Sequence, residues 1–217
     1  MYRMIKKFLE KEEVLPVFPL SGTLLLPGGY LPLNIFEPRY MNMVDDALKA
    51  DRVIGMVQPC AKKDKGELYK TGCLGRITSF HETEDNRYLV TLTGTTRFDI
   101  IKEAKPKNGY RMMRITTACY THDIQHEEQP VDINWGCILA KLESYFAMKG
   151  IDCDMTILEH TPKAKLLSVL SMVCPFEASE KQALLEAENC KERFDLFTKI
   201  IDIATQCSQD EKKKVEH

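Results

Sequence analysis

The chain has 217 residues, 44% hydrophobic and 29% charged, enough to bury a core in one large or two small domains and too apolar for long disorder. Thirty basic against thirty-two acidic residues leave a net charge of −2, so no overall field draws it to nucleic acid. No apolar run approaches the roughly 20 residues that span a bilayer.

The opening MYRMIKKFLEKEE places Met4, Ile5, Phe8 and Leu9 on one helical face, which predicts a short amphipathic segment over 1–12. It lacks the apolar stretch and small-residue cleavage site of a secretory leader. Val14 to Leu20 then reads as a strand. Pro16 and Pro19 cannot donate to a ladder, so an edge or interrupted strand is expected. The run Leu31 to Phe36 breaks into Glu37-Pro38-Arg39-Tyr40, where Pro38 suits a first helical turn and Met41, Val44 and Leu48 repeat at helical spacing.

From there to about residue 121 the text is mostly strand. RVIGMVQP is a short buried strand, and LGRITSFHETEDNRYLVTLTG is a hairpin turning at Glu84 to Arg87. A second hairpin turns at Asn108-Gly109, a pair that supplies the positive φ angles of a tight turn. After the polar stretch HDIQHEEQPVD the period changes from two to 3.6. Trp135, Ile138, Leu139, Leu142, Tyr145 and Phe146 form one helical stripe, and Thr161-Pro162 marks a second helix start. Ser179 with Gln182, and Asn189 with Glu192, have capping-box spacing. SQDEKKKVEH reads as a solvated tail. The expected organisation is a β-rich part over 13–125, a helical part over 132–208 and a tail over 209–217, an α+β chain.

Signatures of catalysis are missing. There is no GxxxxGK[ST] loop, no GxGxxG after a strand, no GxSxG elbow and no HExxH. Cys119, His122 and His126 have a C-x2-H-x3-H spacing, but structural zinc needs a fourth ligand that no second pair supplies. A polar linker carrying two histidines accounts for them, and neither metal nor other cofactor is expected. Cys60 precedes Lys62-Lys63, surroundings that favour a thiolate, yet no general base accompanies it. The eight cysteines are scattered without a CxxC; with no leader, reduced thiols and a cytoplasmic setting are expected. Arg76, Arg87, Tyr88, Arg97, Arg111 and Arg114 lie on predicted strands, a pattern that can serve RNA. Glu82, Glu84, Asp85, Asp99 and Glu103 interleave with them, which reads instead as a charge-balanced, solvated face.

VLPVFPLSGTLLLPGGYLPLNIFEPRYMNMVDDAL resembles the opening of the substrate-binding N-terminal domain of Lon proteases. That pattern is a Pro-Leu-Phe-Pro-Leu-like strand, a Leu-Phe-Pro-Gly-like turn, then Leu-Pro-Leu-x-Ile-Phe-Glu-x-Arg-Tyr. The likeness continues through RVIGMVQP, through YKTGCLGRITSF, through YLVTLTGTTRFDI with its Gly-x-x-Arg-Phe-like signature, and into EKQALLEAENCKERFDLF. It covers about 13–205, with a small departure at Leu25-Leu26-Pro27-Gly28-Gly29.

The resemblance implies a PUA-like β-barrel followed by a helical bundle, free-standing, without the ATPase and Ser-Lys peptidase domains of the proteases. It implies a non-catalytic protein that binds exposed apolar segments of unfolded or extended polypeptide and hands on to a protease or chaperone. No membrane role and no nucleic acid are expected. RNA or small-ligand binding is the alternative for such a barrel. Val17, Phe18, Leu24, Leu26, Pro27 and Tyr30 are the candidate contact surface. Glu37, Arg39 and Arg97 are the candidate structural ion pair, with Glu37 expected to be buried against one of the two arginines.

Overall fold

The computed structural model describes residues 12–60, 66–125 and 135–215. Six strands come first: β1 (Glu13–Pro19), β2 (Tyr30–Ile35), β3 (Val53–Val57), β4 (Thr71–Glu82), β5 (Tyr88–Lys107) and β6 (Tyr110–Thr116). Helix α1 (Pro38–Leu48) interrupts them. Then come a 3-10 turn at Ala118–Tyr120 and helices α2 (His122–Gln125), α3 (Trp135–Lys149), α4 (Met155–His160), α5 (Lys163–Val173), α6 (Ala178–Glu186) and α7 (Cys190–Val215). All but Glu12 of the expected N-terminal amphipathic segment lies outside the described residues. The expected tail from 209 is helical backbone as far as Val215.

The strands form one mixed sheet in the order β2-β5-β4-β3-β1-β6, and β6 also pairs with β5. The ladder that leaves β5 through β4, β3 and β1 therefore returns to it through β6. Strand β1 is not the expected edge. Its first half pairs antiparallel with β6 and its second half parallel with β3, the two registers meeting at Val17. Pro16 and Pro19 thus fall where a ladder runs on one flank only, which is how an inner strand accommodates them. Among the described residues the edge is β2, which pairs with β5 alone.

Local chemistry explains several boundaries. Helix α1 starts with Pro38 in its first turn after an extended Glu37. It buries Tyr40, Met43, Val44 and Ala47, one face of a 3.6-residue period. Asn108 and Gly109 have φ of 47° and 87° in the β5–β6 turn. The capping box of α6 is formed by Glu177 and Glu180, not by Ser179 and Gln182, which lie inside the helix. Asn189 does cap α7, accepting from the Glu192 N–H at 2.9 Å.

Two apolar clusters hold the molecule together. Leu15, Val17, Val53, Val57, Leu74, Phe98, Met113 and Ile115 pack among β1, β3, β4, β5 and β6. A larger cluster joins the opposite sheet face to the helices and takes in Leu24–Leu26, Met43, Leu92, Leu142, Tyr145, Leu166, Phe176 and Phe197. The β-rich and helical parts therefore share one core. No described helix is long and apolar enough to cross a membrane.

Candidate functional site

The expected contact surface is mostly interior. Val17 and Leu26 are completely buried, and Phe18 and Leu24 nearly so. The cause lies across the sheet, where Gly75 of β4 faces Gly94 of β5. Two bare backbones leave a gap, and Leu25 and Leu26 fill it. A Cβ on Gly75 would touch the Leu25 side chain, and one on Gly94 would strike the Leu26 carbonyl. Gly28 N–H donates to the Gly94 carbonyl at 3.0 Å, and Gly94 N–H donates back to Gly29 at 2.9 Å. Pro27 is half-buried. Of the six residues only Tyr30 stands out, 66% exposed.

Of the expected ion pair, the Glu37–Arg39 contact is present and the burial is not. Glu37 is exposed and pairs with exposed Arg39 at 2.8 Å, while Arg97 lies elsewhere. Arg97 is buried on β5, with Nε 2.9 Å from Asp123 Oδ2 and Nη2 2.8 Å from Asp123 Oδ1. It also donates to the carbonyls of Leu185 and Ala187 and stacks over the Tyr120 ring at 4.8 Å. One guanidinium thus ties β5 to α2 and to the α6–α7 junction. Arg193, held down to about 10 chiefly by burial, donates to the Leu184 carbonyl beside it.

A second polar tie lies nearby. Gln58 donates to Ala178 and Gln182, Gln182 donates to the Thr71 carbonyl at 3.1 Å, and Lys181 reaches the Gly22 carbonyl at 2.9 Å. These groups fasten helices to sheet and have satisfied partners, which is a structural job.

Of the linker cluster, His122 is engaged by a neighbouring arginine. His122 Nε2 sits 2.9 Å from Arg97 Nη2; a guanidinium only donates, so that nitrogen accepts there. Cys119 is exposed, and His126 lies outside the described residues. Among the described residues no group of three His, Cys, Asp or Glu side chains is placed to hold a metal ion. Cys60 is buried, with Tyr69 beside it. A cavity of about 170 Å³ is lined by Val14, Leu15, Asp46, Val53, Lys107 and Tyr110, among others. It is well below the ~300 Å³ at which small-molecule sites begin.

Exposed apolar side chains include Ile157 and Ile203 on the helices, and a row of them lies on the outer face of the β2 edge. Tyr30 (66%) and Phe36 (63%) stand out from it, and Leu89 is 44% exposed on the neighbouring strand. Strand alternation puts Tyr30, Pro32, Asn34 and Phe36 on one face, opposite to core-facing Leu31, Leu33 and Ile35. Asn34 is registered with Leu89 and Tyr30 with Thr93. The row runs ~20 Å, the length of six extended residues. Phe36 carries the Arg87 guanidinium over its ring at 5.9 Å. On α5, Val169 and Val173 are also exposed, 42% and 66%, one turn apart. Helix α5 reaches this end of the sheet through Met172, whose sulfur lies where a Cβ on Gly29 would go.

Sequence reasoning singled out Tyr30 but missed Phe36, Leu89 and Asp123. The period-two alternation of LPLNIF held the signal for Phe36; nothing local held one for Asp123.

Comparison with known proteins adds the relatives. A family model for the ATP-dependent protease La (LON) substrate-binding domain matches residues 14–202. Lon protease 2 of Myxococcus xanthus is 25% identical over 198 residues, 88% of this chain and 24% of that protein. Lon protease of Anaeromyxobacter dehalogenans is 24% identical over 197 residues, 87% of this chain and 23% of that protein. The chain thus spans about a quarter of the length of these relatives. Among solved structures, the Lon N-terminal domain protein from Xanthomonas campestris superposes with a TM-score of 0.59 at 22% identity, covering 86% of this chain and 97% of that one. The N-terminal domain of Mycobacterium avium complex Lon protease gives 0.60 at 15% identity, covering 88% and 98%.

Proposed function

We propose, for a chain that belongs to the LON substrate-binding domain family, that it is a non-catalytic module holding extended polypeptide on the outer face of its β2 edge. The family supports a substrate-binding role. The observation that carries the location is the exposed row of Tyr30, Pro32 and Phe36 beside Leu89. Isolated exposed apolar residues are ordinary, but two exposed rings and a leucine on one edge face form a patch. Its spacing matches the two-residue repeat of an extended chain. In this reading the β ladder is the PUA-like barrel of the family, and the protein works in a reducing cytoplasm with free thiols, passing its cargo to a protease or chaperone.

The reading predicts affinity dominated by apolar contact, so moderate salt weakens it little, unlike phosphate recognition. The test is titration of a fluorescently labelled, permanently unfolded protein. Tyr30→Asp and Phe36→Asp should each weaken binding by about tenfold or more while melting as the wild type does. Leu26→Asp is no probe of this surface, because Leu26 is core. Unchanged affinity in both surface variants would remove the site. Binding of RNA with a steep salt slope, and of no polypeptide, would turn the reading over to the alternative.

A further inference from the structure

Behind the edge row stands an arginine with no acidic partner among the described residues. Arg76 of β4 is registered with Thr93 of β5, and Thr93 with Tyr30 of β2. Residues opposite each other in a ladder project from the same face, so Tyr30, Thr93 and Arg76 form one row across three strands, ~4.8 Å apart at each step. Thr78 joins them, its hydroxyl 2.9 Å from that of Thr93.

Arg76 differs from the other arginines of the strands and of the β4–β5 turn. Arg87 pairs with Asp85, Arg97 with Asp123, Arg111 with Glu103 and Arg114 with Glu12. Among the described residues Arg76 has no such acid, and its Nε is shut off from solvent with no hydrogen-bond partner. Arg114 Nε is enclosed and unpaired in the same way, so what sets Arg76 apart is the missing acid. Its hydroxyl neighbours Thr78 and Thr93 are occupied with each other and with the Thr91 carbonyl.

We infer that Arg76 is a carboxylate-reading subsite of the polypeptide-binding face, taking an acidic side chain of the bound segment while Tyr30 takes an apolar neighbour. A planar fork of donors two strands from an aromatic ring, on the same face, suits a segment that carries a carboxylate and an apolar residue. The inference rests on the polypeptide-binding reading above and gives it a selectivity, for acidic-apolar over basic-apolar segments.

Two labelled decapeptides of alternating leucine and serine, differing only in a central Glu or Gln, separate the two claims. Binding of the Gln peptide to the wild type tests the polypeptide-binding face alone; if neither peptide binds, that reading falls and takes the subsite with it. The Glu-to-Gln preference tests Arg76. The wild type should favour the Glu peptide by about tenfold at low salt. Arg76→Gln should abolish the preference while melting as the wild type does, and Arg76→Lys should keep part of it. A wild type without preference, or a preference that survives in Arg76→Gln, overturns the inference. A lowered melting point in that variant would assign Arg76 to the fold and overturn it as well.

Discussion

Arg97 and Asp123 face each other fork to fork, 2% and 6% of their side chains exposed, and the Asp123 carboxylate also accepts from the Arg97 backbone N–H at 2.9 Å. A buried charge deprived of its partner costs far more than the pair contributes over an apolar substitute. Asp123→Ala should therefore destabilise the protein by roughly 3–5 kcal/mol in urea unfolding. Arg97→Met combined with Asp123→Leu should lose less than the single variant. An Asp123→Ala protein that unfolds at the wild-type urea concentration would refute this. Glu37→Ala, which removes only an exposed pair with Arg39, should leave the midpoint where it is.

The second prediction concerns Gly94. Any Cβ there meets the Leu26 backbone carbonyl, and backbone cannot swing aside as a side-chain end can. Gly94→Ala must push the Leu24–Leu26 segment off the sheet and break the hydrogen bonds that join Gly94 to Gly28 and Gly29. The expected cost is at least the ~1–3 kcal/mol of an overpacked core, read as a lower urea midpoint. Gly29→Ala meets the flexible end of Met172 instead and should cost less. Equal midpoints for the two variants would contradict the argument.

These two sites also show what could be read in the sequence. Helix α1 and the Asn108-Gly109 turn were legible because their causes are local: a proline at a first turn, apolar spacing, a residue pair tolerant of positive φ. Leu24 to Leu26 looked like surplus apolar area at a turn. They are core because two glycines 19 residues apart meet across β4 and β5, a long-range fact with no local trace. Arg97 was singled out as a partner for Glu37, but its acid is Asp123, 26 residues on, in a stretch whose composition says only linker. For Glu37 the sequence showed charge beside a hydrophobic run, but the strand ends at Ile35 and Glu37 stands exposed at the start of α1.

A third prediction follows from Asp46. Its carboxylate accepts from the Tyr110 hydroxyl at 2.7 Å and from Asn108 at 3.0 Å, with Lys107 at 3.1 Å. The Tyr110 hydrogen bond, then that of Lys107, holds Asp46 below the ordinary aspartate range. The folded state thus binds this proton less readily than the unfolded chain does. The stabilisation is fully present above the unfolded value of about 3.9 and is lost as pH falls through the lower folded value. Asp46→Asn should flatten that part of the acid limb when urea midpoints are measured from pH 6 down to pH 2. An acid limb of unchanged steepness would show that Asp46 contributes nothing to it.

The last prediction concerns the edge itself. Gly94 N–H points at β2, so by ladder alternation Leu92, Val90 and Tyr88 do too, with Leu31, Leu33 and Ile35 as their partners. The backbone groups of Tyr30, Pro32 and Asn34 are then turned to the unpaired flank. Pro32 lies in the middle of that flank and has no N–H to offer, which blunts an edge that another strand would otherwise extend. An incoming strand finds donors at Tyr30 and Asn34 with a gap between them. Pro32→Val would close the gap and supply a β-branched residue suited to a strand. The variant should self-associate in a concentration-dependent way by sedimentation velocity, under conditions where the wild type does not change. It should also bind unfolded polypeptide more tightly if strand addition contributes to holding cargo. A variant that sediments as the wild type does and binds no more tightly would mean that the β2 flank is not open to another strand. The contact surface would then be reduced to the side-chain row of Tyr30, Phe36 and Leu89.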